Sequence, residues 1–119
     1  MKQGVEVEVF YFEGCPNHGA AVEQVWQALL AEAMTGSPIR EIEVRDAAMA
    51  ESLRFLGSPS VRVGGVDIEP SARDAQSFGF GCRTYFDEGG RSGLPPVAMI
   101  RKALAEVSGR GGEEGGRNG

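Results

Sequence analysis

Val5, Val7, Val9 and Tyr11 alternate with Glu6, Glu8, Phe10 and Phe12 at the start of the chain. A period of two predicts a β-strand over residues 5–12. The glutamates mark an end with one wet face, and the aromatics an end buried on both faces. Gly14 and Pro16 then interrupt the pattern. Over residues 17–35 the period lengthens: Val22, Val25, Trp26, Leu29, Leu30 and Ala33 fall on one helical stripe. Gly36 and Pro38 are the expected stop for that helix. Residues 39–45 alternate again, with Ile42 and Val44 inward and Glu41, Glu43 and Arg45 outward, as in a half-wet strand. Asp46 is placed to cap a short helix through Leu56 that turns Met49, Leu53 and Leu56 inward.

Two short alternating runs follow, Ser60–Val63 and Val66–Glu69, joined by Gly64-Gly65. A glycine pair between such runs predicts a two-residue hairpin, with Val61, Val63, Val66 and Ile68 on its buried side. A long glycine-rich connection over residues 70–94 carries Cys82. Pro95-Pro96 then opens a last helix to Val107, with Val97, Ile100, Leu104 and Val107 on one face. The order is β-α-β-α-β-β-α. A right-handed crossover makes the first two strands parallel, and the hairpin adds an antiparallel pair. The predicted class is α/β, a mixed four-stranded sheet with helices on both faces. Residues 1–107 form one domain with 70–94 as an insertion. Residues 108–119, half of them glycine, read as a disordered tail.

Composition narrows the function classes. With 119 residues, a net charge of −5 and no long basic run, neither nucleic acid nor an anionic membrane surface is an expected partner. No apolar run approaches the roughly 20 residues of a membrane span. The start, Met1-Lys2-Gln3-Gly4-Val5-Glu6, lacks the apolar core of a signal peptide, so a cytoplasmic location is the expectation. In that setting two cysteines point to redox or metal chemistry before a structural disulfide.

Cys15 stands in Tyr11-Phe12-Glu13-Gly14-Cys15-Pro16-Asn17-His18, between the first strand and the first helix. A thiol at a helix N-terminus meets partial positive charge, which favours the nucleophilic thiolate. The plainer role of a free cysteine is that of a small buried hydrophobe. His18, in the first helical turn, is either an exposed residue without a role or a group that steadies the Cys15 thiolate and relays a proton. Glu13 would oppose that thiolate, and Arg83 would lower the pKa of a neighbouring thiol. Phe78, Phe80, Tyr85 and Phe86 either dock the 70–94 segment on the core or form an apolar surface beside the thiol. Asp74, Asp87 and Glu88 read as solvated.

Element order and two landmarks resemble the thioredoxin-like superfamily. One landmark is the aromatic strand ending in Cys15-Pro16-Asn17-His18; the other is Ser58-Pro59-Ser60 directly before the hairpin. The resemblance implies a thioredoxin-like fold over residues 5–107, Cys15 as attacking thiol, and Pro59 as a cis-proline facing it. Ser58 and Pro16 would complete the surface that meets substrate. Thioredoxins carry a second cysteine where this chain has His18, so the local disulfide is missing. The chain also resembles small bacterial thioredoxin-like proteins, some of them labelled alkylmercury lyase-like. The shared pattern is the Cys15 motif, Phe55-Leu56-Gly57-Ser58-Pro59-Ser60-Val61-Arg62-Val63, Gly65-Val66-Asp67-Ile68-Glu69-Pro70, Cys82-Arg83-Thr84-Tyr85 and Pro95-Pro96.

Chain path adds an expectation for Cys82. If the strand after Pro59 descends from the Cys15 end and the next strand climbs back, both anchors of the 70–94 segment lie on the Cys15 side. Cys82 would then resolve a mixed disulfide on Cys15, or the two thiolates would hold a soft metal ion such as mercury. Cleavage of a carbon–mercury bond would further need a proton donor, with His18 a candidate. The partner is thus a thiol or disulfide substrate, or a soft metal. No organic cofactor is expected, and tetrahedral zinc is disfavoured because Cys15, Cys82 and His18 are the only strong ligands. A scaffold that keeps the fold without chemistry is the remaining reading.

Overall fold

A computed structural model describes residues 5–75, 77–79, 81–87 and 89–109. The strands β1 (Val7–Tyr11), β2 (Ile39–Glu43), β3 (Ser60–Val63) and β4 (Val66–Asp67) form one mixed sheet in the order β2-β1-β3-β4. β1 runs parallel to β2 and antiparallel to β3, with Val9 opposite Glu41 on one side and Val61 on the other. The helices are α1 (His18–Ala31), α2 (Ala47–Leu53) and α3 (Val97–Gly109). A 3-10 turn (Pro70–Ala72) and a separate two-stranded sheet, β5 (Tyr85–Asp87) with β6 (Gly90–Ser92), interrupt the segment between β4 and α3. The protein is therefore a mixed α/β fold with a four-stranded sheet and three α-helices. Among the described residues no helix is long and apolar enough to cross a membrane.

Alternation in β1 feeds two cores. Val7 and Val9 pack with Val61, Val63 and Ile68 against Ala21, Val25, Ala28 and Leu29 of α1 and Ile100 and Leu104 of α3. Phe10, on the opposite face, packs with Val44, Phe55 and Ala50 of α2. Burial of such side chains contributes roughly 25 cal/mol per Å² of apolar surface removed from water. Asp46 caps α2 as its position predicts: its side chain accepts a hydrogen bond from the Met49 N–H at 2.8 Å. The Gly64-Gly65 turn joins β3 and β4 with both φ angles positive, +59° and +86°, a conformation glycine adopts without steric cost.

Several expectations are corrected. α1 buries Ala21, Val25, Ala28 and Leu29, whereas Trp26 is 42% and Leu30 65% exposed and Ala33 is exposed. Val25 and Leu29 are buried as expected, and the small Ala21 and Ala28 complete the buried stripe on the side away from Trp26 and Leu30. α1 also ends before Gly36. Met34 N–H donates to Leu29 O (2.8 Å) and Ala33 N–H to Leu30 O (3.2 Å), with Ala33 at φ +56°, a Schellman closure without glycine. The same closure ends α2: Phe55 N–H donates to Ala50 O, and Arg54 sits at φ +57°. β4 stops at Asp67 rather than Glu69, and Val66, beside the turn on the sheet edge, is 44% exposed. α3 runs two residues beyond the expected Val107. Phe80, Glu88, residues 1–4 of the N-terminal reading and residues 110–119 of the tail reading lie outside the described residues.

Candidate functional site

The local structure around Cys15 follows from its punctuation. After β1, Gly14 takes φ +88°, and Cys15 N–H donates to Phe12 O at 3.1 Å, turning the chain back toward α1. Asn17 sits at the N-cap of α1 but makes no side-chain cap. Its amide nitrogen instead donates to Gly93 O at 3.4 Å, tying the Cys15 turn to the chain just ahead of α3. The Gln24 amide reaches Pro95 O at 3.2 Å and strengthens that docking. Cys15 is half-buried and carries a free thiol, and Pro16 beside it is exposed.

Ser58 and Pro59 are joined by a cis peptide bond. Phe10 pairs with Ser60, so the chain just before Ser60 passes the C-terminal end of β1, where the Cys15 turn begins. Cys82 is laid against that Ser58-Pro59 stretch. Ser58 and Cys82 form an isolated parallel bridge, with Ser58 N–H donating to Gly81 O at 2.8 Å and Arg83 N–H to Ser58 O at 3.0 Å. Both thiols therefore belong to one end of the sheet, Cys15 from the β1–α1 turn and Cys82 from the segment laid on the cis-proline turn. Cys82 is exposed and free. Pro59 is buried, and Ser58 is only 1% exposed. The Ser58 Oγ is buried with no hydrogen-bond partner among the described residues. A buried hydroxyl left unsatisfied is uncommon in folded proteins and costs on the order of 1–3 kcal/mol.

His18 is engaged by two side chains of the sheet. Its ring stacks on Tyr11 with centroids 3.7 Å apart, and its Nε2 lies 2.6 Å from Glu41 Oε1 on β2. Nε2 is thereby committed to Glu41 rather than to Cys15.

Arg83 is bound to carboxylates. Its guanidinium is buried and donates from Nη1 to Asp67 Oδ2 (2.7 Å) and from Nη2 to Asp67 Oδ1 (2.8 Å). It also reaches Glu69 Oε1 (3.1 Å) and Ser60 Oγ (3.1 Å), and it lies 4.3 Å from the centre of the Tyr85 ring. Burial works against the charge, but the bonds to Asp67 and Glu69 outweigh it and hold the Arg83 pKa above its ordinary value. The fully buried Tyr85 donates its hydroxyl to Pro59 O at 2.6 Å, and burial pushes its phenol above the usual range. Tyr85 thus docks the segment on the core, while Phe86 stays 57% exposed. Sequence reasoning missed Asp67, Glu69 and Ser60 as partners of Arg83. The available signal was the Asp67-x-Glu69 spacing, which sets two carboxylates on one side of an extended chain.

Among the described residues no group of three or more His, Cys, Asp and Glu side chains is arranged to hold a metal ion. The two thiols are the soft ligands at this end of the sheet. No protein-family model matches the chain, and neither a curated protein nor a solved structure matches it.

Proposed function

We propose that this chain is a thioredoxin-like thiol protein that performs thiol–disulfide exchange at Cys15, with Cys82 as the resolving thiol. The observation that carries the reading is the Ser58–Cys82 bridge, which lays the second thiol on the cis-proline turn beside the end of β1. The Cys15 thiolate attacks one sulfur of a substrate disulfide. A mixed disulfide forms and one substrate thiolate leaves. The Cys82 thiolate then attacks the Cys15 sulfur, forming a Cys15–Cys82 disulfide and releasing the second substrate thiolate. The substrate is reduced by two electrons and the protein oxidised by two. Cys82 in this scheme replaces the local second cysteine, at whose position the chain carries His18. The Ser58 hydroxyl has its donor capacity unspent beside this site.

A test is mass spectrometry of the reduced protein after exposure to oxidised glutathione. The native chain is expected to lose the mass of two hydrogens and to yield a Cys15–Cys82 crosslinked peptide. Cys82→Ser should accumulate a glutathione adduct on Cys15, and Cys15→Ser should form no crosslink. A Cys82→Ser protein that turns over disulfide at the native rate would sink the resolving role.

A second reading, that both thiolates clamp a soft ion such as Hg(II), draws on the same pairing, because two sulfurs satisfy a two-coordinate soft ion. It is distinguished by stoichiometric Hg(II) binding that is lost in both Cys15→Ser and Cys82→Ser. Binding that survives Cys15→Ser rules it out.

A further inference from the structure

Away from both thiols, three arginines converge on one pocket of about 280 Å³. Arg54 comes from the end of α2, Arg62 from β3, and Arg73 from the turn after Pro70–Ala72. Their positions are set by other contacts. Arg54 lies over the Phe78 ring at 4.8 Å. Arg62 donates from Nη2 to the Leu53 and Arg54 carbonyls, at 2.7 and 3.0 Å, and lies over Phe10 at 4.3 Å. Arg73 donates from Nε to Asp67 O at 2.8 Å.

The carboxylates at hand compensate this charge only in part. Asp67, which also borders the pocket, gives both oxygens to Arg83. Glu8 stands opposite Arg62 across the strands, yet its closest cation is Arg40 at 3.9 Å. Glu106 pairs with Arg73 at 3.7 Å. Among the described residues no carboxylate lies within ion-pair distance of Arg54 or Arg62. Burial lowers the Arg62 pKa against the pull of Asp67 and Glu8, as expected for a cation short of counter-charge. A concentration of positive charge is notable on a chain of net charge −5. The remaining walls, Leu56, Val66 and Phe78 among them, are apolar.

We infer that this pocket binds a small organic anion, an oxyanion on a short apolar body, with Arg54, Arg62 and Arg73 around the anion and Phe78 against the body. Guanidinium groups offer paired N–H donors that match the oxygens of phosphate and carboxylate. A volume near the lower end of ordinary ligand sites, which run from roughly 300 Å³ upward, restricts the occupant to a small molecule. No thiol takes part, so this site stands or falls independently of the chemistry at Cys15 and Cys82.

The test is an amide NMR titration of the full chain with phenyl phosphate, benzoate, inorganic phosphate and phenol. Saturable shifts at Arg54, Arg62, Arg73 and Phe78 with phenyl phosphate or benzoate are expected, and the tighter of the two identifies the preferred oxyanion. Arg62 supports the last carbonyls of α2, so the variants are Arg54→Gln and Arg73→Gln. Each should weaken binding by about tenfold while leaving the rest of the spectrum unchanged. The proposal is overturned by absence of saturable shifts, by unchanged affinity in both variants, or by phenol binding as well as the anions.

Discussion

Ser58 and Cys82 are joined through their backbones as a lone parallel bridge, and the two flanking hydrogen bonds make the cis-proline turn the support on which Cys82 rests. Gly57 makes that approach close. It takes φ +111°, and a Cβ there would stand 3.1 Å from both the Arg83 Cβ and the Gly81 carbonyl oxygen. Gly57→Ala should therefore destabilise the fold by about 1–3 kcal/mol, through backbone strain and displacement of the Gly81–Arg83 segment. Thermal unfolding measures the loss. Faster alkylation of Cys82 than of Cys15, relative to the native chain, would locate it at the bridge; unchanged stability would contradict the close approach.

The Arg83–Asp67 pair is buried on both sides, at 5% and 7% side-chain exposure. Removing one partner of such a pair leaves the other charge uncompensated and typically costs about 3–5 kcal/mol. Asp67→Asn should fall toward the lower end, because Glu69 still faces the guanidinium. The double change Arg83→Met with Asp67→Leu should cost less than the sum of the single changes, since the buried Asp67 charge is removed with its partner and only the more exposed Glu69 loses the guanidinium. Denaturant unfolding of the four proteins closes the cycle, and strict additivity would show that the two side chains are not coupled.

Tyr85 gives the fold an alkaline limit. Burial raises its folded pKa above the ordinary value near 10.0, so the unfolded chain releases the phenolic proton first as pH rises. The contribution is fully present below about pH 10 and is lost as pH climbs from there through the folded pKa. Tyr85→Phe should remove that part of the pH dependence. It should also cost about 1 kcal/mol at neutral pH, from the lost hydrogen bond to Pro59 O. Unfolding free energies at pH 7 and above pH 10 read both effects; an unchanged alkaline slope in the variant would assign the limit to other groups.

Ala33 closes α1 at φ +56°, where an L-residue with a Cβ is disfavoured by about 1 kcal/mol. Ala33 is exposed, and both Schellman hydrogen bonds are made by its backbone and that of Met34. Ala33→Gly should therefore stabilise the protein by up to about 1 kcal/mol, visible as a raised melting temperature. A lower melting temperature would mean that the Ala33 side chain contributes packing that its exposure does not suggest.

Strand positions were legible where one local rule decided them. β1 follows from period-two alternation, β3 falls on Ser60–Val63, and Asp46 caps α2 because a short acceptor precedes a helical stripe. The stripe of α1 was legible only in part: Val25 and Leu29 are buried as their spacing predicts, while packing completed the stripe with small residues in place of Trp26 and Leu30. Ala21 and Ala28 face the sheet, and Trp26 and Leu30 are left toward water. Neither helix stop was read from its residues either, since Ala33 and Arg54 occupy positions that glycine usually marks.

By itself the sequence determined the order of the four sheet strands and three α-helices, the place of Cys15 at a strand-to-helix turn, and the glycine hairpin, because each depends on residues near one another in the chain; the β5–β6 pair inside residues 70–94 was not read from it. Tertiary structure alone decided the company of Cys82, the commitment of His18 to Tyr11 and Glu41, and the burial of Arg83 among Asp67, Glu69 and Ser60. Apart from Tyr11 and His18, those partners are distant in sequence. They meet because the sheet register brings the chain before Ser60 past the end of β1, and the segment carrying Cys82 completes its hydrogen bonds on that turn.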